Sequence, residues 1–357
     1  MAVGAVLAAT APTFGVLTAG RLLQGTGCAA IPVLGMAVVS AQYAGGAKAR
    51  ALAVATGVSA AGACIGPLVG GSLDALFGWR VAIALPAVAV LLLPMIWRRI
   101  PDSGTGARLD ILGAGRVAAS ATGVELLVQS ASSGVVVALS GVLLLTLGLP
   151  GAVLRVRRLP DGFLPMAVVT NATVVRAALA ATAVPVAWFA LLVAVPTALS
   201  AHGWQPLQIG LALLPSVACG LLAPRVTGPV LVRLGPARSL IVTAGVASLA
   251  LGAASIGAAR DVPFLLVLAV MLVTTAFGLC QPAMVAAINA AVAADVRGVA
   301  LGIAIMTFFV AGGIGSAVIG GFGAIVGTAA CLAYLAVYPV LAATLVWPLA
   351  RRPVAVA

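Results

Sequence analysis

Charge is what this sequence has least of. Only 7% of its 357 residues are Asp, Glu, Lys or Arg, against roughly a quarter in a water-soluble domain. So few charges cannot cover a water-facing surface, which excludes a soluble globular fold. Acidic groups are the scarcest, seven beside nineteen basic ones. The one histidine, His202, lies in a polar turn and has no sequence partner for a zinc site or a catalytic triad. Five cysteines (Cys28, Cys64, Cys219, Cys280, Cys331) stand singly in apolar segments, without CxxC or metal-ligand spacing, and read as small hydrophobes. Paired acidic motifs and metal clusters are missing from the apolar runs, so the sequence predicts neither an enzyme nor a cofactor. The net charge of +12 comes without a basic stripe carrying interleaved aromatics, and a nucleic-acid partner is not expected.

What is there is apolar. Hydrophobic residues make up 63% of the chain, in runs of about 20 residues, long enough to cross a bilayer core. The runs are continuous and rich in Ala, Leu, Val and Gly, without the alternation of a membrane β-barrel. Inside lipid only helices then satisfy the backbone. The fold class is an all-α, polytopic integral membrane protein. A short run covers residues 1–11, with no basic region before it of the kind that opens a signal peptide. Spans follow at about 14–38, 51–73, 80–97, 110–130, 134–154, 176–199, 207–224, 239–258, 263–285, 299–321 and 325–349. That is eleven full helices and a partial one.

The basic residues orient these spans. Lys48 and Arg50, then Arg98, Arg99 and Arg108, then Arg155, Arg157 and Arg158 fall on one face. Arg225, Arg233, Arg238, Arg297, Arg351 and Arg352 continue the series, and the other face holds Arg80 and Arg260. The positive-inside rule makes the basic face cytoplasmic, with the C-terminus inside. One missed or invented span would invert every later cluster. Polar breaks at 98–110 (Pro101, Gly104, Gly106) and 155–175 (Pro160, Asp161, Gly162, Pro165) bracket two helices. The expected organisation is a partial N-terminal bundle at 1–98, an extra central helix pair with cytoplasmic loops at 99–160, and a C-terminal six-helix bundle at 161–357.

A few residues stand out against the apolar background. Arg21 lies near the outer start of a helix in GRLLQGTGCAA, with Gln24 three residues on and Gly25 and Gly27 opening space. An arginine at a helix centre costs at least about 2.5–3.5 kcal/mol. Arg21 is therefore either a charge in a central cavity or one snorkelling to the outer interface. In GACIGPLVGG, Gly62, Gly66 and Gly70 repeat every four residues and share a face, with Gly71 beside it. Such stripes let two backbones approach closely, while Pro67 removes a donor and bends the helix. A moving interface and a static seam both fit. Gly312, Ser316 and Gly320 form a similar face near the end, with Gly313, Ala317 and Gly321 next to it, and read as tight packing.

Asp74, Asp102, Asp110, Asp161, Asp261 and Asp295 all sit at helix ends or in loops. Glu125 is the exception, about fifteen residues into its helix, and an intramembrane carboxylate can carry a proton. Gln129, Asn171, Gln281 and Asn289 either line a cavity or join helices. The Trp residues mostly mark span ends.

GRLLQGTGCAA resembles the fourth-helix motif of the major facilitator superfamily, in its fourteen-helix drug:proton antiporter branch. Arg21, Gln24, Gly25 and Gly27 match it. GACIGPLVGG is similar to that branch's fifth-helix antiporter motif at Gly62, Gly66, Pro67, Gly70 and Gly71. The segment Gly78–Arg80, QPLQIGLALLP at 205–215, PRVTGPVLVRLGPARS and RGVALGIAIMTFFVAGGIGSAV resemble further parts of the branch. The resemblance implies that Arg21 takes part in proton transfer and that the Gly62 to Gly71 helix governs the direction of exchange. Members carry two more helices and a basic loop before this point, the first helix usually with an acidic coupling residue. Met1 falls within what resembles the third helix, and no acidic residue occurs in 1–20.

The function implied is secondary transport: proton-coupled efflux of small lipophilic drugs or metabolites across a bacterial cytoplasmic membrane. The partners are lipid, substrate and protons, the chain is a monomer, and the proton gradient takes the place of a cofactor. Arg21, Gln24 and Glu125 are the coupling candidates. Uptake by a permease of the same class, or a non-transporting remnant or assembly subunit without the two leading helices, are the alternatives.

Overall fold

In the computed structural model, residues 1–43, 45–97, 110–159, 165–293 and 296–351 are described. Asp102, Asp161, Asp295, Arg98, Arg99, Arg108, Arg352 and, of the polar breaks at 98–110 and 155–175, residues 98–109 and 160–164 lie outside them. Fifteen α-helices and one 3-10 stretch account for nearly all of the described chain, and no strand occurs among the described residues. The first five are α1 (Ala2–Ala9), α2 (Phe14–Gln42), α3 (Gly45–Phe77), α4 (Trp79–Ala84) and α5 (Leu93–Trp97), the last two joined by the 3-10 stretch Leu85–Leu92. Next come α6 (Ile111–Ser133), α7 (Val135–Arg158), α8 (Met166–Val169), α9 (Ala172–Ala181) and α10 (Ala183–Ala201). Then follow α11 (Pro206–Ala212), α12 (Leu214–Ala259), α13 (Pro263–Ala291), α14 (Arg297–Val326) and α15 (Thr328–Ala350). The expected spans fall on helical residues, but four of them are broken: 80–97 by the 3-10 stretch Leu85–Leu92, 176–199 at Thr182, 207–224 at Leu213 and 325–349 at Gly327. Among the described residues, eight helical stretches are long and apolar enough to cross a membrane. The protein is all-α and multi-pass.

Local chemistry sets the helix ends. Asp110 caps α6, its carboxylate accepting from the Gly113 amide at 2.9 Å. Asn171 caps α9, accepting from the amides of Thr173 and Val174. A side chain in that position satisfies donors that no helical carbonyl can reach. Pro206 and Pro263 open α11 and α13, where a missing amide costs nothing. Gly134 alone separates α6 from α7, at φ +87°, a value that favours glycine. Gly235 at φ +74° breaks α12 in the same way. The first half of α12 thus runs on to Leu234, ten residues past the expected end at 224. The expected basic loop around Arg225 and Arg233 is helical, in spite of the prolines within it.

The principal core lies in the second half of the chain. α10 is buried along nearly its whole length and is packed by α9, α12, α13, α14 and α15. Phe308, Leu191, Leu251, Met284 and Ile288 are among its fully buried side chains. Trp188, Phe189, Phe277, Phe308 and Phe309 stack edge to face or tilted, with neighbouring ring centroids 4.8–6.4 Å apart. Small residues permit the close approach that holds helices together where lipid removes the hydrophobic drive. α6 and α7 pack through Gly123, Gly141 and Gly148, and an added Cβ at any of them would press on the other helix. Arg155 closes their open end on Asp110 at 2.9 Å. Outward faces are apolar, as at Val135, Val136 and Leu139, which suits lipid contact.

Candidate functional site

α1 and α2 meet through glycine. A Cβ on Gly4 or Gly20 would collide with the opposing backbone, and Ala5 and Ala8 are fully buried between them. This close approach buries Gln24, only 5% exposed, against α1. Arg21 comes from the same helix one turn earlier, is exposed, and donates from Nη1 to Gln24 Oε1 at 2.8 Å. The two residues singled out at this motif are thus one hydrogen-bonded pair, with the amide anchored and the guanidinium facing outward. Gly25 meets no described atom within 4 Å of an added Cβ.

α3 carries most of the contact between helices α1–α5 and the second half of the chain, packing on α11, α12 and α13. Gly71 touches Pro206, with an added Cβ 3.1 Å from the Pro206 Cβ. Leu68 fits against Gly210, and Ile65 packs on Val217. The GACIGPLVGG and QPLQIGLALLP segments therefore face each other, a pairing that the sequence reading did not make. Gly62, Gly66 and Gly70 point elsewhere: an added Cβ at any of them meets no described atom within 4 Å. Their shared face is open among the described residues. Pro67 lies within α3 on the same stretch.

Glu125 lies on α6 where that helix crosses α14. A Cβ on Gly313 would overlap Glu125 Oε1, and one on Gly320 would stand 3.2 Å from Gln129 Nε2. Ser132 Oγ donates to the Gly320 carbonyl at 3.1 Å. Gly312 and Gly315 turn the other way and receive Phe189 and the Val186 backbone of α10. The small residues of α14 are thus packing surfaces for two helices at once. Half-buried Glu125 is part of the α6 seam, away from the Arg21–Gln24 pair on α2, and the structure does not bring these three coupling candidates into one cluster. Asn171 caps α9 and reaches across to the Ala291 carbonyl at 3.1 Å, acting as glue. Arg116, which the sequence reading passed over, donates to the Gly151 carbonyl at 2.8 Å and ties α6 to α7. Its place one turn and a half into an apolar span was the available signal.

At the end away from the basic clusters, His202 Nε2 lies 2.7 Å from Asp261 Oδ1 and Nδ1 lies 2.7 Å from the Ala198 carbonyl. The Ala198 carbonyl and then the Asp261 charge push the imidazole pKa above its ordinary value. Asp261 holds φ +55° in the turn between α12 and α13. On the same side, Arg80 donates to the Ala11 carbonyl at 3.2 Å and lies over the Trp79 ring.

Residues 1–169 match the family model of the Major Facilitator Superfamily. A stretch of 92 residues is 38% identical to the Multidrug resistance protein Stp of Mycobacterium tuberculosis, in the strains CDC 1551 / Oshkosh and ATCC 25618 / H37Rv. It covers 25% of this chain and 17% of that protein, so the match spans less than a fifth of the relative's length.

Proposed function

We infer, from the match of residues 1–169 to the family model of the Major Facilitator Superfamily, that this protein is a proton-coupled exporter of small lipophilic molecules. The observation that carries the reading is the position of α3. Its Leu68 and Gly71 side docks on α11 and α12, while the Gly62, Gly66 and Gly70 side meets none of the described residues. A glycine-faced helix docked on one side and free on the other is suited to a rocking interface, since a glycine face can slide or close without side-chain obstruction. In an alternating-access cycle the helices around α3 would rock against those around α10, carrying a substrate past the midplane.

Arg21 and Gln24 supply the polar group on the N-terminal side. A guanidinium held by a buried amide is fixed in place, and its charge biases the protonation of any acid that approaches it. Glu125 is the second coupling candidate, an intramembrane carboxylate beside the α14 glycines. Lipophilic substrates fit walls with so few charges. The related protein is named for multidrug resistance, which points the same way. The one-sided basic clusters support a bacterial cytoplasmic membrane as its location, with the basic face and the C-terminus inside.

The test is dye efflux from cells expressing the chain, with and without a protonophore. Export should require the gradient and be lost in Arg21→Ala. Export that persists without a gradient sinks the coupling claim, and no export at all would leave a chain that keeps the fold without the cycle.

A further inference from the structure

The second half of α12 and the end of α15 enclose a groove of about 340 Å³ that is apolar along its length and basic at one end. Two bonds fix how these helices run. Ser248 Oγ donates to the Ala336 carbonyl at 2.7 Å, and Ser255 Oγ donates to that of Ala329 at 2.8 Å. Seven residues forward on α12 are seven back on α15, so the helices are antiparallel. The same register, continued, brings Arg238 level with the residues next to Trp347. Arg238 and Arg351 therefore share one end of the groove, with Ile241, Val242 and Trp347 lining it.

Within α12, Arg238 lies three and four residues before Ile241 and Val242, so all three share a face. On α15, Trp347 and Arg351 are spaced the same way, and the Arg351 guanidinium lies 5.7 Å from the Trp347 ring centroid. Neither arginine is ion-paired to a carboxylate among the described residues. Two cations without a carboxylate partner among the described residues, at the mouth of a groove whose Val242 and Trp347 are 43% and 51% exposed, suit a ligand with both an anionic and an apolar part. We propose that this groove binds an anionic phospholipid. Its phosphate sits between Arg238 and Arg351, and an acyl chain lies along Ile241, Val242 and Trp347.

The guanidinium fork matches phosphate geometry and pairs with it through two parallel bonds. Basic pockets between membrane helices are suited to anionic head groups for this reason. The indole marks the interfacial level at which a phosphate lies. A free anion would gain nothing from the apolar walls, and a zwitterionic lipid would bring its own headgroup cation beside the two arginines.

Native mass spectrometry of the purified chain, titrated with phosphatidylglycerol or phosphatidylcholine, tests this. Phosphatidylglycerol should bind the more tightly. The double variant Arg238→Gln/Arg351→Gln should weaken it about twenty-five-fold, at roughly fivefold per basic group near an anionic surface, and weaken phosphatidylcholine less. Arg238→Lys/Arg351→Lys should recover most of the loss, and Arg157→Gln, on the exposed end of α7, should show none. Equal retention of the two lipids, or an unchanged affinity in the Gln variant, would overturn the proposal. So would competition by chainless glycerophosphoglycerol as strong as that of the lipid itself, which would mark a site for soluble anions.

Discussion

Gly210 of α11 and Leu68 of α3 are in contact at their backbones: a Cβ on Gly210 would stand 2.5 Å from the Leu68 Cα. A rotamer change cannot relieve that overlap, because the obstructing atom is backbone. Gly210→Ala should therefore push α11 away from α3 and destabilise the protein by about 1–3 kcal/mol, the usual range for overpacking. A lowered melting temperature of the purified protein checks this. An unchanged one would mean that the two segments are not in contact in the membrane.

The open face of α3 predicts the opposite. Gly62→Ala, Gly66→Ala and Gly70→Ala place a methyl where no described atom lies within 4 Å. Each should keep stability or raise it, by up to about 1 kcal/mol from helix propensity. If the face closes during a transport cycle, the same variants should slow efflux while the melting temperature holds. A fall in melting temperature for all three would show that the stripe is a permanent seam.

Gly313 and Gly321, two of the glycines of α14 that face α6, should differ from each other. At Gly321 an added Cβ overlaps the Val128 carbonyl, which is backbone, whereas at Gly313 it meets the end of the flexible Glu125 side chain. Gly321→Ala should cost about 1–3 kcal/mol and Gly313→Ala clearly less. Melting curves of the pair, with Glu125→Ala added to Gly313→Ala, provide the check: the added change should relieve whatever the methyl costs.

His202 gives a pH-dependent contact. Both ring nitrogens face acceptors, so the two bonds are complete only when the ring is an imidazolium. The raised folded pKa means that the contribution is fully present below the ordinary histidine value of 6.5 and is lost as pH rises through the raised value. The chain's single histidine makes NMR titration direct. The imidazole should titrate above 6.5, and lower in Asp261→Asn than in the parent. A titration at or below 6.5 in the parent would mean that the contact to Asp261 is not made.

Most of the fold was legible because lipid imposes a simple grammar. Apolar runs gave the spans, and basic clusters between them checked their number. The details that escaped depend on single backbone events. Gly235, inside a helix of forty-six residues, moved the end of the first α12 segment beyond the expected boundary. The 3-10 stretch at Leu85–Leu92 was invisible to a hydropathy reading. Pairing escaped for a different reason: a glycine stripe announces that some helix can come close, without naming which. Thus the Gly313 and Gly321 face read correctly as packing, its partner α6 could not be named, and the docking of Leu68 on Gly210 went unseen although both segments had been singled out. The Arg21–Gln24 pair follows from their three-residue spacing on one helix.

The most direct test of the central claim is proton movement in liposomes holding the purified chain and a pH-sensitive dye inside. With a lipophilic cation or dye loaded and an outside-acid gradient imposed, substrate export should acidify the lumen, and Arg21→Ala should abolish both signals together. Substrate movement without proton movement, or an Arg21→Ala protein that couples as the parent does, would contradict the account.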